Sequence, residues 1–360
     1  MTRRLAIYGL SLSSSWGNGH AIPFRGLSRE LAALGWEITF LERDVEWYRS
    51  NRDVPVADYC DLRFYDDWRS ETAGAVQSAD AVLVGSYVRE GAAIVDWLTT
   101  TGRPLFFYDI DTPVTLTELS RSGQTDYLRG EQIPYFEVYF SFTGGPALEE
   151  LEQRWHARHA EALLCGVDPE LYRPVPPDPR FAGVLGYMGT YAADRQPRLQ
   201  ELLLHTAERR PRDRFLLAGP QYPPMDLPAN VRHIVHLYPR EHAAFYSSTL
   251  ATLNLTREAM RAYGWSPASR LFEAAACGAC IITDTWPGLE SVLEPGREVL
   301  LANSRADVEA HLDGLAAERR GAIGSAARKR VLSEHTFARR AAQLNAALER
   351  TLAAEWTTAL

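Results

Sequence analysis

The chain has 360 residues, of which 46% are hydrophobic, and its formal net charge at pH 7 is −8. This length exceeds that of one ordinary α/β core and suits two domains. The acidic balance, without a dense basic cluster, argues against nucleic acid as a ligand. No apolar run approaches the ~20 residues of a membrane span, and the four cysteines form no secreted disulfide framework. We therefore expect a cytoplasmic protein without a membrane span.

The first half of the chain alternates between apolar strands and amphipathic helices. A buried strand is predicted over residues 5–10, followed by a loop rich in serine and glycine that ends at His20. An apolar stripe predicts a helix over residues 23–34, closed by Gly35. Further strands are predicted over residues 37–41, 81–85, 105–109 and 138–142. This alternation is typical of a parallel sheet with helices on both faces.

A proline-rich break separates the two halves, because four prolines lie among the six residues from Pro174 to Pro179. The alternation then restarts, with a helix predicted over residues 196–207 and a mostly helical segment from Ser304 onwards. Strands are predicted over residues 183–187, 215–218, 231–236, 251–255 and 281–283. The sequence thus predicts two doubly wound domains that face each other across a cleft, with ligands at the carboxyl ends of the strands.

The most informative segment runs from Gly264 to Asp284 and predicts a loop, a helix and a buried strand. Ser266 suits the N-cap of this helix, with proline as its first residue, and Gly278 suits its end. A helix start beside a loop glycine binds anions well. Glu273 can accept hydrogen bonds from sugar hydroxyls, although a solvent-facing helix glutamate is the alternative. Phosphate together with ribose indicates a nucleotide ligand.

The sequence Arg-Leu-Phe-Glu-Ala-Ala-Ala-Cys-Gly, from Arg270 to Gly278, resembles the donor-binding motif of GT-B glycosyltransferases, especially the CgeB-like (spore-maturation) branch. The segment from Gly166 to Pro174 is similar to the crossover of the same fold, with Tyr172 in place of the usual Phe. The resemblance extends over nearly the whole chain. It implies the GT-B fold and transfer of a sugar from a nucleoside diphosphate, UDP or dTDP, to a small-molecule or glycan acceptor, without a further cofactor.

The resemblance also implies a domain organisation. It predicts an acceptor-binding domain over residues 1–168, a linker over 169–180 and a nucleotide-sugar-binding domain over 181–340. A C-terminal helix over residues 341–360 is expected to pack back on the first domain.

The loop from Gly17 to His20 lacks the third glycine of a dinucleotide-binding fingerprint, which disfavours a hydride-transferring enzyme. The loop is similar to the first loop of GT-B enzymes, and several inverting members of that fold place their general base at this histidine. An imidazole can take a hydroxyl proton near neutral pH. The alternative is that His20 only bonds the local backbone at a helix start.

Asp109 and Asp111 end a strand and begin a helix, in the spacing of a metal-binding DxD motif. The resemblance implies that helix dipoles and basic side chains neutralise the diphosphate instead, so no metal is expected. Asp111 is predicted to orient His20 or to contact the acceptor, and a plain helix cap is the alternative.

The loop after the first strand of the second half contains Gly189, Thr190 and Arg195. The resemblance places a basic residue near here against the donor diphosphate, and the guanidinium of Arg195 suits two phosphate oxygens. An exposed arginine at a helix start is the alternative. The further candidates for the donor site are Gly264, Ser266, Arg270 and, near the nucleotide base, Arg240.

One departure bears on stereochemistry. Retaining GT-B enzymes of the sucrose-synthase type often carry two glutamates eight positions apart, and here Trp265 stands eight positions before Glu273. The missing glutamate, together with His20, favours inversion. Another sugar-nucleotide enzyme of the same fold, such as an epimerase or a phosphorylase-like enzyme, and a silent binding subunit remain alternatives. The sequence leaves the oligomeric state open.

Overall fold

The computed structural model describes residues 2–358 of the chain. The chain divides into two compact units, one comprising the residues up to Leu164 with the segment from Phe337, and the other Cys165–Thr336. Each unit contains one sheet in which the strand pairings are parallel. Residues 359 and 360, which the predicted C-terminal helix includes, lie outside the described residues. The two parallel sheets confirm the predicted fold class.

The first unit holds a seven-stranded sheet. Its strands are β1 (Arg3–Gly9), β2 (Trp36–Arg43), β3 (Asp61–Tyr65), β4 (Ala81–Gly85), β5 (Leu105–Asp109), β6 (Val138–Ser141) and β7 (Ala160–Ala162). Its helices are α1 (Ala21–Ala33), α2 (Glu46–Arg49), α3 (Trp68–Glu71), α4 (Ala73–Ser78), α5 (Gly91–Leu98), α6 (Thr112–Ser122) and α7 (Pro146–Gln153), with a 3₁₀ segment at Gly130–Tyr135. The strand order is β3-β2-β1-β4-β5-β6-β7. This order reverses direction between β1 and β4, so the loops after these strands flank a crevice.

The second unit holds a six-stranded sheet. Its strands are β8 (Gly183–Met188), β9 (Phe215–Ala218), β10 (Val231–Ile234), β11 (Thr249–Asn254), β12 (Ile281–Thr283) and β13 (Leu300–Leu301). Its helices are α8 (Gln196–Leu199), α9 (His205–Arg209), α10 (Pro239–Ser248), α11 (Glu258–Tyr263), α12 (Ser269–Ala276), α13 (Arg305–Gly314) and α14 (Ala317–Glu334). The order is β10-β9-β8-β11-β12-β13, which reverses between β8 and β11.

Two predicted helices differ from the structure in detail. The helix predicted over residues 196–207 is α8 and α9 joined by a π-helical segment, Gln200–Leu204, so its middle turn is wider than predicted. The helix expected to start at Pro267, with Ser266 as its N-cap, begins at Ser269, with Ala268 at the N-cap. The backbone of Ala268 is extended, with ψ at 146°, so the chain enters its helical conformation later than the proline suggested.

The final helix, α15 (Phe337–Thr358), belongs to the first unit and packs along α1. The indole of Trp36 donates a hydrogen bond to the Asn345 side chain at 2.7 Å. The guanidinium of Arg340 donates to the Leu164 carbonyl at 3.0 Å. None of the helices within residues 2–358 has the length and apolar character needed to cross a membrane.

Candidate functional site

Arg270 links the ends of β8 and β11, the two strands between which the strand order of the second sheet changes direction. Its Nε donates to the carbonyl of Met188, at the end of β8, at 2.8 Å. Its Nη1 donates to the Leu255 carbonyl at 3.1 Å and to Asn254 Oδ1 at 3.2 Å, both at the end of β11. The guanidinium is therefore fixed at the carboxyl edge of the sheet, where ligands of doubly wound folds bind.

Gly189 follows β8 and lies directly against this guanidinium. A Cβ atom at this position would lie 2.7 Å from Tyr187 Oη and 2.9 Å from Arg270 Nη2. The lack of a side chain therefore lets these two polar groups approach the loop backbone. Tyr222 Oη also donates to the Gly189 carbonyl, at 3.1 Å.

The loop after β8 contains the second arginine of this region, Arg195, and this residue is buried. Its Nη2 donates to the carbonyl of Thr190, which holds the loop closed on itself. Burial lowers the pKa of the Arg195 guanidinium, and the nearby positive charges of Arg270 and Arg257 lower it further. The alternative of an exposed arginine at a helix start is wrong.

Arg195 is buried and Arg270 is half-buried, and their guanidinium groups are bonded in the same way. Both donate to carbonyl oxygens, and neither forms an ion pair with a carboxylate among the described residues. Two neighbouring cations without a counter-charge produce a positive potential at the carboxyl ends of β8 and β11. This part of the molecule is therefore suited to a phosphate-bearing ligand.

Glu273 lies on α12 and is 6% exposed, so the alternative of a solvent-facing glutamate is wrong. Its Oε2 accepts a hydrogen bond from Tyr246 Oη at 3.3 Å and lies 3.7 Å from His242 Nδ1. His242 in turn contacts Tyr172 Oη at 3.2 Å. Oε1 of Glu273 takes no hydrogen bond from the described residues. The carboxylate is thus held at one oxygen and available at the other.

Ser266 and Gly264 lie in the loop before α12. Ser266 is buried three residues before the first helical residue, so its predicted role as N-cap is wrong. Gly264 has φ at +70°, and a Cβ there would lie 2.6 Å from the Pro287 carbonyl oxygen. The adjacent Trp265 N–H donates to that same oxygen at 2.7 Å. This close loop contact requires a glycine at position 264. At the other end, Gly278 follows the helix as predicted, with φ at +69°.

Arg240 lies at the start of α10, and its side chain is exposed. Its guanidinium lies 5.4 Å from the centre of the Tyr238 ring. The structure therefore brings Gly189, Thr190, Arg195 and Arg270 together, and it leaves Arg240 on the surface.

The loop after β1 is held by a buried glutamate from β2. The Glu42 carboxylate accepts hydrogen bonds from the N–H groups of Leu12 at 2.6 Å and Ser13 at 2.8 Å. It also accepts from the hydroxyls of Ser13 at 2.6 Å and Ser11 at 3.1 Å. Sequence reasoning missed Glu42, although a carboxylate directly after the mostly apolar run of residues 38–41 is a signal for such a role.

His20 ends this loop and is buried at the start of α1. Its backbone N–H donates to Asn18 Oδ1 at 3.0 Å, while its ring packs edge-on against Tyr87 with centroids 5.2 Å apart. Nδ1 of the ring has no hydrogen-bond partner among the described residues. Burial lowers the pKa of His20, and the negative charge of Asp111 opposes that shift. The imidazole is therefore neutral near pH 7.

The two aspartates after β5 have different environments. Asp109 is fully buried and accepts hydrogen bonds from Tyr139 Oη at 2.7 Å and from the Asp111 N–H at 3.2 Å. Burial raises the pKa of Asp109 to about 6. Asp111 occupies the N-cap of α6 and Pro113 lies in its first turn, so the helix start of the plain-cap alternative is present, although the Asp111 side chain makes no cap hydrogen bond. Within residues 2–358, no three His, Cys, Asp or Glu side chains are grouped as metal ligands.

Comparisons with known proteins agree with this architecture. Residues 195–346 match a family model described as glycosyl transferase-like. No curated protein sequence matches the chain. A sucrose-phosphate synthase from Thermosynechococcus elongatus has a TM-score of 0.71 at 15% identity, covering 98% of this chain and 100% of its own. The chain has the GT-B fold, and the family match over residues 195–346 supports a glycosyltransferase.

Two further structures are similar to this chain over almost its whole length. HepE from Anabaena, in complex with UDP and glucose, has a TM-score of 0.67 at 10% identity, covering 97% of this chain and 100% of its own. An alpha-glucosyltransferase in complex with UDP-glucose and DNA has a TM-score of 0.71 at 13% identity, covering 96% and 99%. At such identities the likeness concerns the fold alone. The family match includes Arg195, Arg270 and Glu273 but not His20 or Asp111.

Proposed function

We propose that this protein is a glycosyltransferase that moves a sugar from a nucleoside-diphosphate sugar to a hydroxyl or amine of a small-molecule or glycan acceptor. The observation that carries the proposal is the pair of arginines, Arg195 and Arg270, without carboxylate partners at the carboxyl edge of the second sheet. Of the two predicted nucleotides, UDP and dTDP, we favour UDP. Two similar structures hold UDP or UDP-glucose, which supports this choice.

Each part of the donor has a candidate partner in the second unit. Arg195 and Arg270 would bind the diphosphate, with the backbone of Gly189 and Thr190 beside them. The free Oε1 of Glu273 would accept hydrogen bonds from the ribose hydroxyls. Further donor contacts are proposed for Gly264, Ser266 and, near the base, Arg240.

The reaction we propose needs no metal ion, because two guanidinium groups can neutralise the charge that grows on the departing diphosphate. The buried Asp109 is already engaged by Tyr139, which makes it a poor metal ligand. This part of the proposal predicts that transfer survives treatment with a chelator.

His20 is proposed as the general base that takes the acceptor proton, with Asp111 contributing a negative charge nearby. A neutral imidazole near pH 7 is able to accept a proton. A general base that takes the acceptor proton favours inversion of the anomeric centre. So does Trp265, which stands where the retaining enzymes often carry a glutamate. We also infer membership of the CgeB-like branch and a cytoplasmic location, where the four free cysteines would stay reduced.

The test is a turnover assay with UDP- and dTDP-sugars and a panel of glycan and small-molecule acceptors. We expect acceptor-dependent release of the nucleoside diphosphate, a glycosylated product of the opposite anomeric configuration by NMR, and loss of activity in Glu273→Gln. Conversion of the donor sugar without an acceptor would indicate an epimerase instead. Nucleotide binding without any turnover would indicate a silent binding subunit.

A further inference from the structure

Tyr187, near the end of β8, carries a buried hydroxyl that the roles described so far do not use. The side chain is 0% exposed, and Tyr187 Oη has no hydrogen-bond partner among the described residues. Burying a hydroxyl without a partner is unfavourable, and most such groups in proteins are paired. A phenylalanine would fill the same space in the core without that penalty.

The position of this hydroxyl sets it apart from an ordinary core tyrosine. Tyr187 Oη and Arg270 Nη2 both lie within 3.0 Å of the point where a Cβ of Gly189 would be. The Arg270 guanidinium also lies 5.4 Å from the centre of the Tyr187 ring. The charge of Arg195 interacts with Tyr187 as well. One neutral donor and two cations therefore converge at the same loop.

Tyr65, in the first unit, is a useful contrast. It is also buried, and its hydroxyl also lacks a partner among the described residues. The cation near its ring, Arg43, forms an ion pair with Glu90 at 2.8 Å. The surroundings of Tyr65 therefore carry a balanced charge, whereas those of Tyr187 carry an unbalanced positive charge.

We propose that the Tyr187 hydroxyl is a third donor of the anion site and hydrogen-bonds a phosphate oxygen of the donor diphosphate, beside Arg195 and Arg270. This inference rests on the proposed function, since it assigns the site a nucleoside diphosphate. A neutral hydroxyl adds a directed hydrogen bond to a site whose two cations already supply the charge.

The test compares Tyr187→Phe with the matched control Tyr65→Phe, by calorimetric titration of UDP and by competition with inorganic pyrophosphate. Losing a hydrogen bond to a charged group should weaken UDP binding about 10- to 100-fold in Tyr187→Phe. The affinity of Tyr187→Phe for pyrophosphate should fall by a similar factor. The Tm of the ligand-free variant should be unchanged or higher, and Tyr65→Phe should bind UDP as wild type does.

Two results would overturn the inference while leaving the proposed function intact. One is equal UDP affinity in wild type and Tyr187→Phe. The other is weaker UDP binding with unchanged pyrophosphate binding, which would place the contact outside the phosphates. If wild type binds neither UDP nor any other nucleoside diphosphate, the proposed function fails and the inference fails with it.

Discussion

The loops that follow β1 and β8 stand at equivalent places in the two sheets, yet their charges are balanced in opposite ways. In the first unit, Glu42 is saturated by loop donors, and Arg25 pairs with Asp53 at 2.8 Å. In the second unit, Arg195 and Arg270 donate to carbonyl oxygens and have no carboxylate partner among the described residues. Internal pairing thus fixes the first loop, whereas the second loop retains positive charge for a ligand.

The largest effect on the transfer rate should follow from replacing His20, the last residue of the loop after β1. His20→Ala should lower the transfer rate by about 10²- to 10⁴-fold, the usual contribution of a general base. Because burial lowers the pKa of His20 below the usual value for histidine, about 6.5, the fall of wild-type kcat/KM with decreasing pH should be centred below that pH. Steady-state rates across pH would check both statements.

The control for this prediction is His159→Ala, since His159 is an exposed histidine of the same unit. It should keep the wild-type rate and pH profile. Full activity of His20→Ala would contradict the role of His20 as a base.

The second prediction removes a cation from the other loop. Arg195→Met should weaken binding of the nucleoside diphosphate and slow transfer by about 10²- to 10³-fold, because a donor to the departing diphosphate is lost. The unfolding free energy should not fall, since a buried cation without a counter-charge is replaced by an apolar side chain. Calorimetric titration and denaturant unfolding measure the two quantities. Arg212→Met, at an exposed position of the same unit, is the control.

Glu42→Gln tests the loop after β1, whose structure depends on internal pairing of its charged groups. The carboxylate accepts four hydrogen bonds, and an amide presents a donor to at least one of these groups, so the unfolding free energy should fall by about 2–3 kcal/mol. Nucleotide affinity of the folded protein should be unchanged. Glu37→Gln, at an exposed site of the same strand, should have little effect on either quantity. Undiminished stability of Glu42→Gln would show that the loop does not depend on this carboxylate.

The smallest effect is expected at Tyr246, which supports Glu273 rather than contacting a ligand. Tyr246→Phe removes the 3.3 Å hydrogen bond to Oε2 and should weaken nucleotide binding only a few-fold, the effect of one modest hydrogen bond. Glu273→Gln should have the larger effect. If both variants bind nucleotide as wild type does, Glu273 does not contact the ligand.

The sequence predicted the elements of the fold best where apolar runs were continuous and clearly ended. Strands β4, β5, β9 and β12 have the predicted bounds, because buried parallel strands give uninterrupted apolar runs. Strands β3, β7 and β13 were not predicted. Each lies at an edge of its sheet, and all three are short and partly exposed, so they lack such a run.

The candidate site was predicted only as far as chemistry can be read from residue type. A family-like motif indicated Arg270 and Glu273, and a loop position indicated Arg195. Tyr187 was missed because a tyrosine in a buried strand has the same pattern as a core aromatic residue. The hydrogen-bond partner of a buried polar group is often distant in the sequence, as Ser13 is from Glu42. The periodicity of apolar residues gives no information about such contacts.

The central claim is that the second unit binds the nucleoside diphosphate of a sugar donor. The most direct measurement is calorimetric titration of UDP, dTDP, GDP, ADP and CDP into wild type, Glu273→Gln and the exposed control Glu318→Gln. The account predicts that wild type and the control bind one of these nucleotides, and UDP is the one we expect. The affinity of Glu273→Gln for that nucleotide should be lower by about tenfold or more. Absence of binding to wild type, or equal binding to all three proteins, would contradict it.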